Sequence, residues 1–235
     1  MVSIDNVYKT VLNILNKENR GYIVPEEFNT LATQAQNEIF EGYFSLRNYV
    51  VSNDSDYSDV KKNVEEKIAL FENEETISAG TDFNNAEGNT TSSYYAYPGN
   101  FYRLGSVAAN AIHVEQISNK DILYVNRSPL TKPTINNPVY VRHEGGVVIH
   151  PITGISSIDI SYVRKPAVPN WIGTTVAGQI IATPGNALYK NFELHPSEEA
   201  ELVVKILAYA GVIIKAADVT QAAAAKDQQI TQSER

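Results

Sequence analysis

Two histidines in the middle of the chain are spaced as a metal-binding pair on a β-hairpin would be. His143 and His150 stand in two short β-branched runs on either side of Gly145-Gly146. If the turn lies at these glycines, Val141 faces His150, and His143 lies two residues further along the same face, roughly 6–7 Å away at the rise of a strand. Two ligands alone do not make a metal site. We therefore interpret both histidines as solvent-facing or interface residues.

The other two histidines and a cluster of aspartates also have residue types that bind metals. We interpret His113 in the same way as the first pair, and His195 stands where a helix cap belongs, which is a sufficient role for it. Asp54, Asp56 and Asp59 suggest calcium, but their stretch lacks the loop glycine and the distal glutamate of an EF-hand. A solvated acidic loop is the better interpretation.

The sequence has no motif of catalysis or cofactor binding. The glycine patterns of dinucleotide-binding and phosphate-binding loops do not occur, nor do Gly-x-Ser-x-Gly and His-Glu-x-x-His. Because the chain has no cysteine, disulfide scaffolds and thiolate chemistry are excluded. Carboxylates are plentiful, but none stands in a recognisable constellation. We predict no catalytic residue, no metal ligand, no cofactor, and a protein that is not an enzyme.

The charge of the chain argues against sequence-specific nucleic-acid binding. Nineteen Lys and Arg stand against 27 Asp and Glu, and ten of these acids lie in 53–88 with only three lysines. Phosphate binding needs clustered Lys and Arg, and the sequence has no basic stripe. We find no secretory signal at the N terminus, and the apolar run 202–217 is too short for a membrane span. We therefore expect synthesis in a cytoplasm and no membrane partner.

The N-terminal part of the chain is predicted to be helical. Asp5 can cap a first helix, and 17–21 indicates a helix end at which Gly21 takes the left-handed conformation. Pro25 suits the first turn of a second helix, and a third helix follows over 60–71. The apolar face of the second helix is predicted to be Phe28, Leu31, Ala32, Ala35, Ile39, Phe40, Tyr43 and Phe44.

The middle of the chain changes to the period of β-strands. Strand patterns occur over 101–107, 111–117, 139–143, 147–150 and 155–163. Ser118 provides the capping signal of a short helix over 120–125. The segment 171–192 indicates either a second, longer hairpin or a loop that reaches outward.

The longest helical segment, 195–217, lies near the C terminus. Pro196 and three glutamates open it, as a helix dipole favours, and a wide apolar stripe follows. We predict an α+β fold in which an N-terminal helical hairpin, a third helix and this helix form a bundle packed with a central antiparallel β-rich region. The predicted divisions are helices over 1–72, an extended loop over 73–93, a β-rich region over 94–192, the C-terminal helix over 193–217 and a tail over 218–235.

Six stretches have a distinctive sequence, although none of them is a motif with a chemical mechanism. They are VYKTVL (7–12), NKENRGYIVPEEF (16–28), QAQNEIFEGY (34–43), SPLTKPT (128–134), PVYV (138–141) and FELHPSEE (192–199). In these stretches the chain resembles a structural protein of crAss-like and related short-tailed bacteriophages. The similarity extends from Val7 to about Lys215 and is weakest over 73–93 and 167–190. The order of elements is also similar to that of the head–tail adaptor, or tail tubular, proteins of short-tailed phages.

The resemblance implies a virion protein without catalysis, made in the host bacterial cytoplasm and located in the tail or connector. Its implied partners are its own copies in a ring, typically a dodecamer, together with the portal or neighbouring tail ring proteins. The genome would pass through the lumen without sequence-specific binding, and an acidic lumen would discourage adhesion. A ring interface is head-to-tail and needs two different, complementary patches. The acidic region 53–88 and the tail after Ala217 are candidate arms.

Two alternatives stay open. A peripheral tail component for receptor or glycan binding would use a sheet and loops rich in Tyr and Asn, and it would be a trimer or a monomer. A hydrolase with dispersed carboxylates would have a pocket with perturbed acids. The ring-forming connector would instead give a large cyclic oligomer, or would assemble only on a portal partner.

Overall fold

The computed structural model describes residues 1–17, 23–52, 58–80, 94–151, 153–176 and 179–213. Within them the chain is an α+β protein, as the sequence predicts. The α-helices are α1 (Ile4–Lys17), α2 (Pro25–Ser52), α3 (Ser58–Ala69), α4 (Asp121–Arg127) and α5 (Glu199–Ile213). The strands are β1 (Glu72–Ser78), β2 (Tyr94–Ala96), β3 (Phe101–Ala109), β4 (Ile112–His113), β5 (Glu115–Gln116), β6 (Val139–His143), β7 (Gly146–His150), β8 (Ser157–Arg164), β9 (Gly173–Val176) and β10 (Gln179–Ala182). Among these residues, none of the helices has the length and apolar character that a membrane crossing requires.

The chain folds as two compact units. The helical unit consists of Met1–Leu70 and Pro166–Arg235, and the sheet unit consists of Phe71–Lys165. The second hairpin that the sequence indicates is present as β9 and β10. It belongs to the helical unit, although the sequence predicts a single β-rich region over 94–192.

Helix α2 is organised by one apolar face. It begins at Pro25, as predicted, because proline has no backbone N–H to leave unpaired in a first turn. All eight residues of its predicted apolar face are buried, which confirms that face. Helix α2 contacts α3 and α5, and α1 contacts α5. These contacts join the helices within the helical unit, and the bundle packed with the β-rich region stays a prediction.

Helix α5 begins as the sequence predicts. The His195 side chain accepts a hydrogen bond from the backbone N–H of Ser197, and the turn Pro196–Glu198 is a 3₁₀ helix that leads into α5. This arrangement confirms the capping role of His195. The buried face of α5 includes Leu202, Ile206, Leu207 and Ala210. The rest of the predicted helix, after residue 213, and the predicted tail 218–235 lie outside the described residues.

The predicted cap of α1 at Asp5 is wrong, because the helix already begins at Ile4. Asp5 therefore lies in the first turn rather than at the cap position. There its carboxylate accepts hydrogen bonds from Lys9 Nζ at 2.6 Å and from Trp171 Nε1 at 3.1 Å. Helix α1 ends at Lys17, and the remainder of the predicted helix end at 17–21 lies outside the described residues.

Two four-stranded sheets build the sheet unit. One has the order β1-β8-β3-β4 and the other the order β2-β7-β6-β5. All strand pairs are antiparallel except β5 with β6, which is parallel. Side chains from both sheets share one core, which includes Tyr95, Val107, Ile149, Ile158 and Ile160. The predicted strand over 155–163 is confirmed as β8, and the strand over 101–107 as β3.

The extended loop predicted over 73–93 is wrong at its start, because Glu72–Ser78 forms strand β1. The segment carries three glutamates and lacks the alternation of a half-buried strand, so its sequence favours a loop. Its pairing with β8 along its whole length overrides that preference. At an edge strand, charged side chains also discourage pairing with another chain. Residues 81–93 lie outside the described residues.

The single strand predicted over 111–117 is instead divided between the two sheets. Asn110 and Ala111 have φ values of 52° and 62°, so the chain reverses there and β4 pairs with β3. Positive φ at both central residues is typical of a two-residue hairpin turn. After the buried Val114, β5 joins the other sheet by pairing with β6. The stretch 111–117 therefore contributes a short strand to each of the two sheets.

Candidate functional site

The predicted hairpin over 139–150 is confirmed as β6 and β7, but its register differs from the prediction. His143 pairs with Gly146, so the turn lies at Glu144-Gly145, one residue earlier than predicted. His150 consequently faces Val139 instead of Val141. His143 is four residues from that pair on the same face, roughly 13 Å along the strand.

The register has a steric reason on the neighbouring strand. A Cβ atom added at Gly146 would lie 2.2 Å from the carbonyl oxygen of Tyr95 and 2.8 Å from the ring of Tyr94. Because Gly146 has no Cβ atom, β2 can lie close to it. Gly146 is therefore a strand residue, and it pairs with Ala96 of β2. A glycine needed in the strand cannot also be the second residue of the turn.

The register of the hairpin keeps the two histidines apart. The described residues contain no group of three or more His, Cys, Asp or Glu that could hold a metal ion. Burial lowers the pKa of His150, and the positive charge that His143 can carry lowers it further. The lowered pKa favours the neutral form of the His150 ring.

The other residues with candidate chemistry are dispersed. His113 is an exposed residue of β4, and His195 caps the start of the last helix. Asp54 and Asp56 lie outside the described residues, and Asp59 lies in α3. Of the candidate acidic arm 53–88, residues 53–57 and 81–88 also lie outside them. The structure therefore brings none of these residues together within the part of the chain that it describes.

A hairpin without charged residues is a candidate interaction surface in the helical unit. We call residues 171–189 the uncharged hairpin, because they include no Asp, Glu, Lys, Arg or His. Within the described residues its strands β9 and β10 pair only with each other, so their outer edges have no partner strand. Its exposed apolar side chains are Ile180, Ile181 and Leu188. Open strand edges beside exposed isoleucine favour association with another chain.

The base of the uncharged hairpin is tied firmly to the helices. Trp171 is buried, and its ring lies 4.2 Å from the ring of Tyr8 on α1. Asn170 and Lys190 exchange two backbone hydrogen bonds of 3.0 Å and close the base of the hairpin. A surface held in place before binding loses less conformational entropy when a partner covers it.

A second candidate surface lies on α4 and the loop that follows it, in the sheet unit. Helix α4 confirms the predicted short helix, and the Ser118 hydroxyl accepts a hydrogen bond from the Asp121 backbone N–H at 3.2 Å. Ile122 packs on Val139 and Val141 of β6, which leaves the opposite side of α4 in solvent. We call the exposed residues of this surface the basic-rimmed patch: Lys120, Leu123, Tyr124, Arg127, Leu130, Lys132 and Ile135.

The basic-rimmed patch combines apolar area with positive charge. Leu130 is 97% exposed and Tyr124 is 73% exposed, so their apolar atoms lie in water. Between residues 120 and 135 the chain has three cations and a single acid, Asp121, in a protein of net charge −8. An exposed apolar cluster with a polar rim is typical of a protein–protein interface.

A groove between α2 and α5 is the third candidate surface. We call it the acidic groove; it has a volume of about 700 Å³ and is lined by Thr30, Thr33, Gln34, Asn37, Glu38, Glu41 and Tyr209. Lys205 Nζ donates a 3.1 Å hydrogen bond to Glu38, and the Tyr209 hydroxyl donates another. Burial alone would raise the pKa of Glu38, but these two hydrogen bonds outweigh it and lower the pKa.

An ion pair lies nearby between α3 and the start of α5. Lys67 Nζ is 2.5 Å from Glu198 Oε1, and Glu198 is only 3% exposed. The ammonium group also lies 5.5 Å from the centre of the Tyr43 ring. Because the carboxylate is buried and paired, it supports the packing of these helices.

Comparison with protein-family models and with curated proteins finds no match to this sequence. The surfaces of the described residues therefore carry the evidence for the class of protein. Neither the uncharged hairpin nor the basic-rimmed patch is predicted as a surface from the sequence. The sequence does contain a signal for each surface, namely a run without charge over 166–189 and a local excess of cations over 120–132. Whether such a run is buried in the core or exposed on the surface depends on the fold.

Proposed function

We propose that this protein is a non-enzymatic virion structural protein, a ring-forming subunit of a phage head–tail connector or tail barrel that joins the portal to the tail and lines the DNA passage. The observation that carries the proposal is the pair of unlike apolar surfaces, the uncharged hairpin and the basic-rimmed patch. A head-to-tail ring needs two different patches on each subunit. The sequence resemblance to short-tailed phage proteins supports the same assignment.

The uncharged hairpin supports the proposal because of its edges. Soluble proteins usually protect an open strand edge with charged residues or proline, and β9 and β10 contain neither. Ile181 is 51% exposed on this hairpin. A surface of this kind is stable in solution when a partner chain covers it.

The chemistry of the polar surfaces also supports a structural role. Glu38 and Glu198 are held by Lys205 and Lys67, so they stabilise helix contacts. The net charge of −8 suits a passage that DNA crosses without adhering, since like charges repel.

The test is the mass of the purified protein in solution, together with negative-stain images, for the wild type and two matched variants. Ile181→Asp and Leu70→Asp each place a carboxylate at an apolar residue that is about half exposed, 51% and 49% respectively. We expect rings or a discrete large assembly for the wild type, loss of that assembly for Ile181→Asp, and its retention for Leu70→Asp. Circular dichroism checks that both variants fold.

Two results would reject the proposal. A strict trimer of the wild type would favour a peripheral tail component that binds a receptor or glycan. Equal assembly of the wild type and Ile181→Asp would show that the uncharged hairpin is not an interface.

A further inference from the structure

We infer that the basic-rimmed patch of one copy docks into the acidic groove of the next copy. This inference rests on the proposed function, because it adds the acidic groove, which lies in the helical unit with the uncharged hairpin, to the surface that would meet the basic-rimmed patch of the next copy. The patch lies in the sheet unit and the groove in the helical unit, and each is exposed within its own chain. A contact between them is therefore heterologous, which is the type that closes into rings.

Charge complementarity identifies the occupant of the patch. Lys120, Arg127 and Lys132 are exposed and alternate in the sequence with its exposed apolar residues. The lining of the acidic groove contains two carboxylates. Glu38 is paired with Lys205, and the exposed Glu41 supplies the negative charge that a basic partner would meet. Opposite charge at the rim of an interface directs the approach of the partner and sets its orientation.

The apolar part of the patch argues for a protein partner. Leu123 and Leu130 would stay in water if the cations bound the phosphates of a nucleic acid, because phosphate contacts leave apolar side chains uncovered. The residues that line the groove are polar by type, and two of them, both threonines, also carry methyl groups. The hydroxyls of Thr30 and Thr33 donate to the carbonyls of Glu26 and Asn29 on α2, so their methyl groups remain for contact.

Two variants reverse the charge on one surface each. The patch variant is Arg127→Glu/Lys132→Glu, and the groove variant is Asn37→Lys/Glu41→Lys. All four residues are exposed, so the folds should be kept, and thermal unfolding checks this. The matched control, Lys62→Glu/Lys165→Glu, changes the net charge by the same amount as the patch variant at exposed residues outside both surfaces.

The experiment measures self-association by analytical ultracentrifugation for each variant alone and for an equimolar mixture of the two. We expect each variant alone to associate about tenfold or more weakly than the wild type, since like charges then face each other across the interface. In the mixture, copies of the two variants can alternate. The glutamates of the patch variant then face the lysines of the groove variant, and the unchanged patch of the groove variant faces the unchanged groove of the patch variant. Every interface is complementary, so the mixture should recover assembly, and the control should assemble as the wild type does.

The outcomes separate this inference from the proposed function. Recovery in the mixture supports it. If the wild type assembles and the variants assemble equally well, or if both variants fail and the mixture does not recover, the inference is overturned while the proposed function stands. If the wild type associates neither with itself at any concentration nor on a portal partner, both are overturned.

Discussion

The side-chain amide of Asn29 on α2 binds both backbone groups of Trp171. Its Nδ2 donates to the Trp171 carbonyl at 3.0 Å, and its Oδ1 accepts from the Trp171 backbone N–H at 2.8 Å. Asn29 also donates to Asn170 Oδ1 at 2.8 Å. One side chain thus anchors the first residue of the uncharged hairpin to the helices, and the indole of Trp171 adds its hydrogen bond to Asp5.

Substitution of Asn29 by alanine should destabilise the helical unit by about 1–3 kcal/mol, because partly buried backbone donors and acceptors of Trp171 lose their partners. The matched control is Thr30→Ala, at the next residue of α2, whose exposed hydroxyl binds only the carbonyl one turn back. We expect a change below about 0.5 kcal/mol there. Urea unfolding measures both, and equal effects would contradict the anchoring role.

The ion pair of Lys67 and Glu198 gives a second prediction. Lys67→Met leaves the buried Glu198 carboxylate without this cation and should cost about 3 kcal/mol in the free energy of unfolding. The double variant Lys67→Met/Glu198→Leu removes both charges and should be more stable than the single variant. Thermal and urea unfolding would decide this. A double variant less stable than the single one would mean that Glu198 does not depend on Lys67.

Gly146 tests the close contact between β2 and β7. Gly146→Ala places a Cβ atom 2.2 Å from the Tyr95 carbonyl oxygen, so β2 must shift, and we expect a loss of about 1–3 kcal/mol. Gly99→Ala is the control, because nothing lies within 4 Å of its added Cβ. Unfolding free energies give the comparison. Unchanged stability of Gly146→Ala would contradict the register of the hairpin.

The lowered pKa of His150 predicts that the stability of the protein depends on pH. Its folded pKa is lowered from 6.5 by burial and by His143, so the unfolded chain binds the proton more readily. The contribution of His150 to the free energy of unfolding is therefore complete above pH 6.5. It decreases as the pH falls from 6.5 toward the folded pKa. His150→Gln should reduce that slope, whereas His113→Gln, at an exposed residue of β4, should keep it. Urea unfolding at several pH values measures both slopes.

Patterns among residues close together in the sequence were enough to predict the helices. The apolar residues from Phe28 to Phe44 recur at helical spacing, and all of the predicted face is buried. His195 and Pro196 begin the last helix through contacts within two residues of the chain. Such patterns depend only on neighbours in the sequence, so they can be identified without the fold.

Pairing between distant strands could not be predicted in the same way. Strand β1 is mostly polar, but Asn73 donates to the Tyr162 hydroxyl, and that hydroxyl donates to Glu75, with both distances 3.0 Å. The turn before Gly146 is placed by Tyr94 and Tyr95 on a strand far away in sequence. The same limit applies to the candidate surfaces, because Leu130 and Ile181 have the residue types of a core and are exposed only as a result of the fold.

The most direct test of the account is the mass of the wild-type protein in solution across a range of concentrations. We predict a discrete cyclic assembly, with a mass of about 310 kDa if twelve copies of the 25.9 kDa chain close the ring. Negative-stain images of the same sample should show rings with a central opening. A strict trimer, or a monomer that associates neither with itself at any concentration nor on a portal partner, would contradict the account.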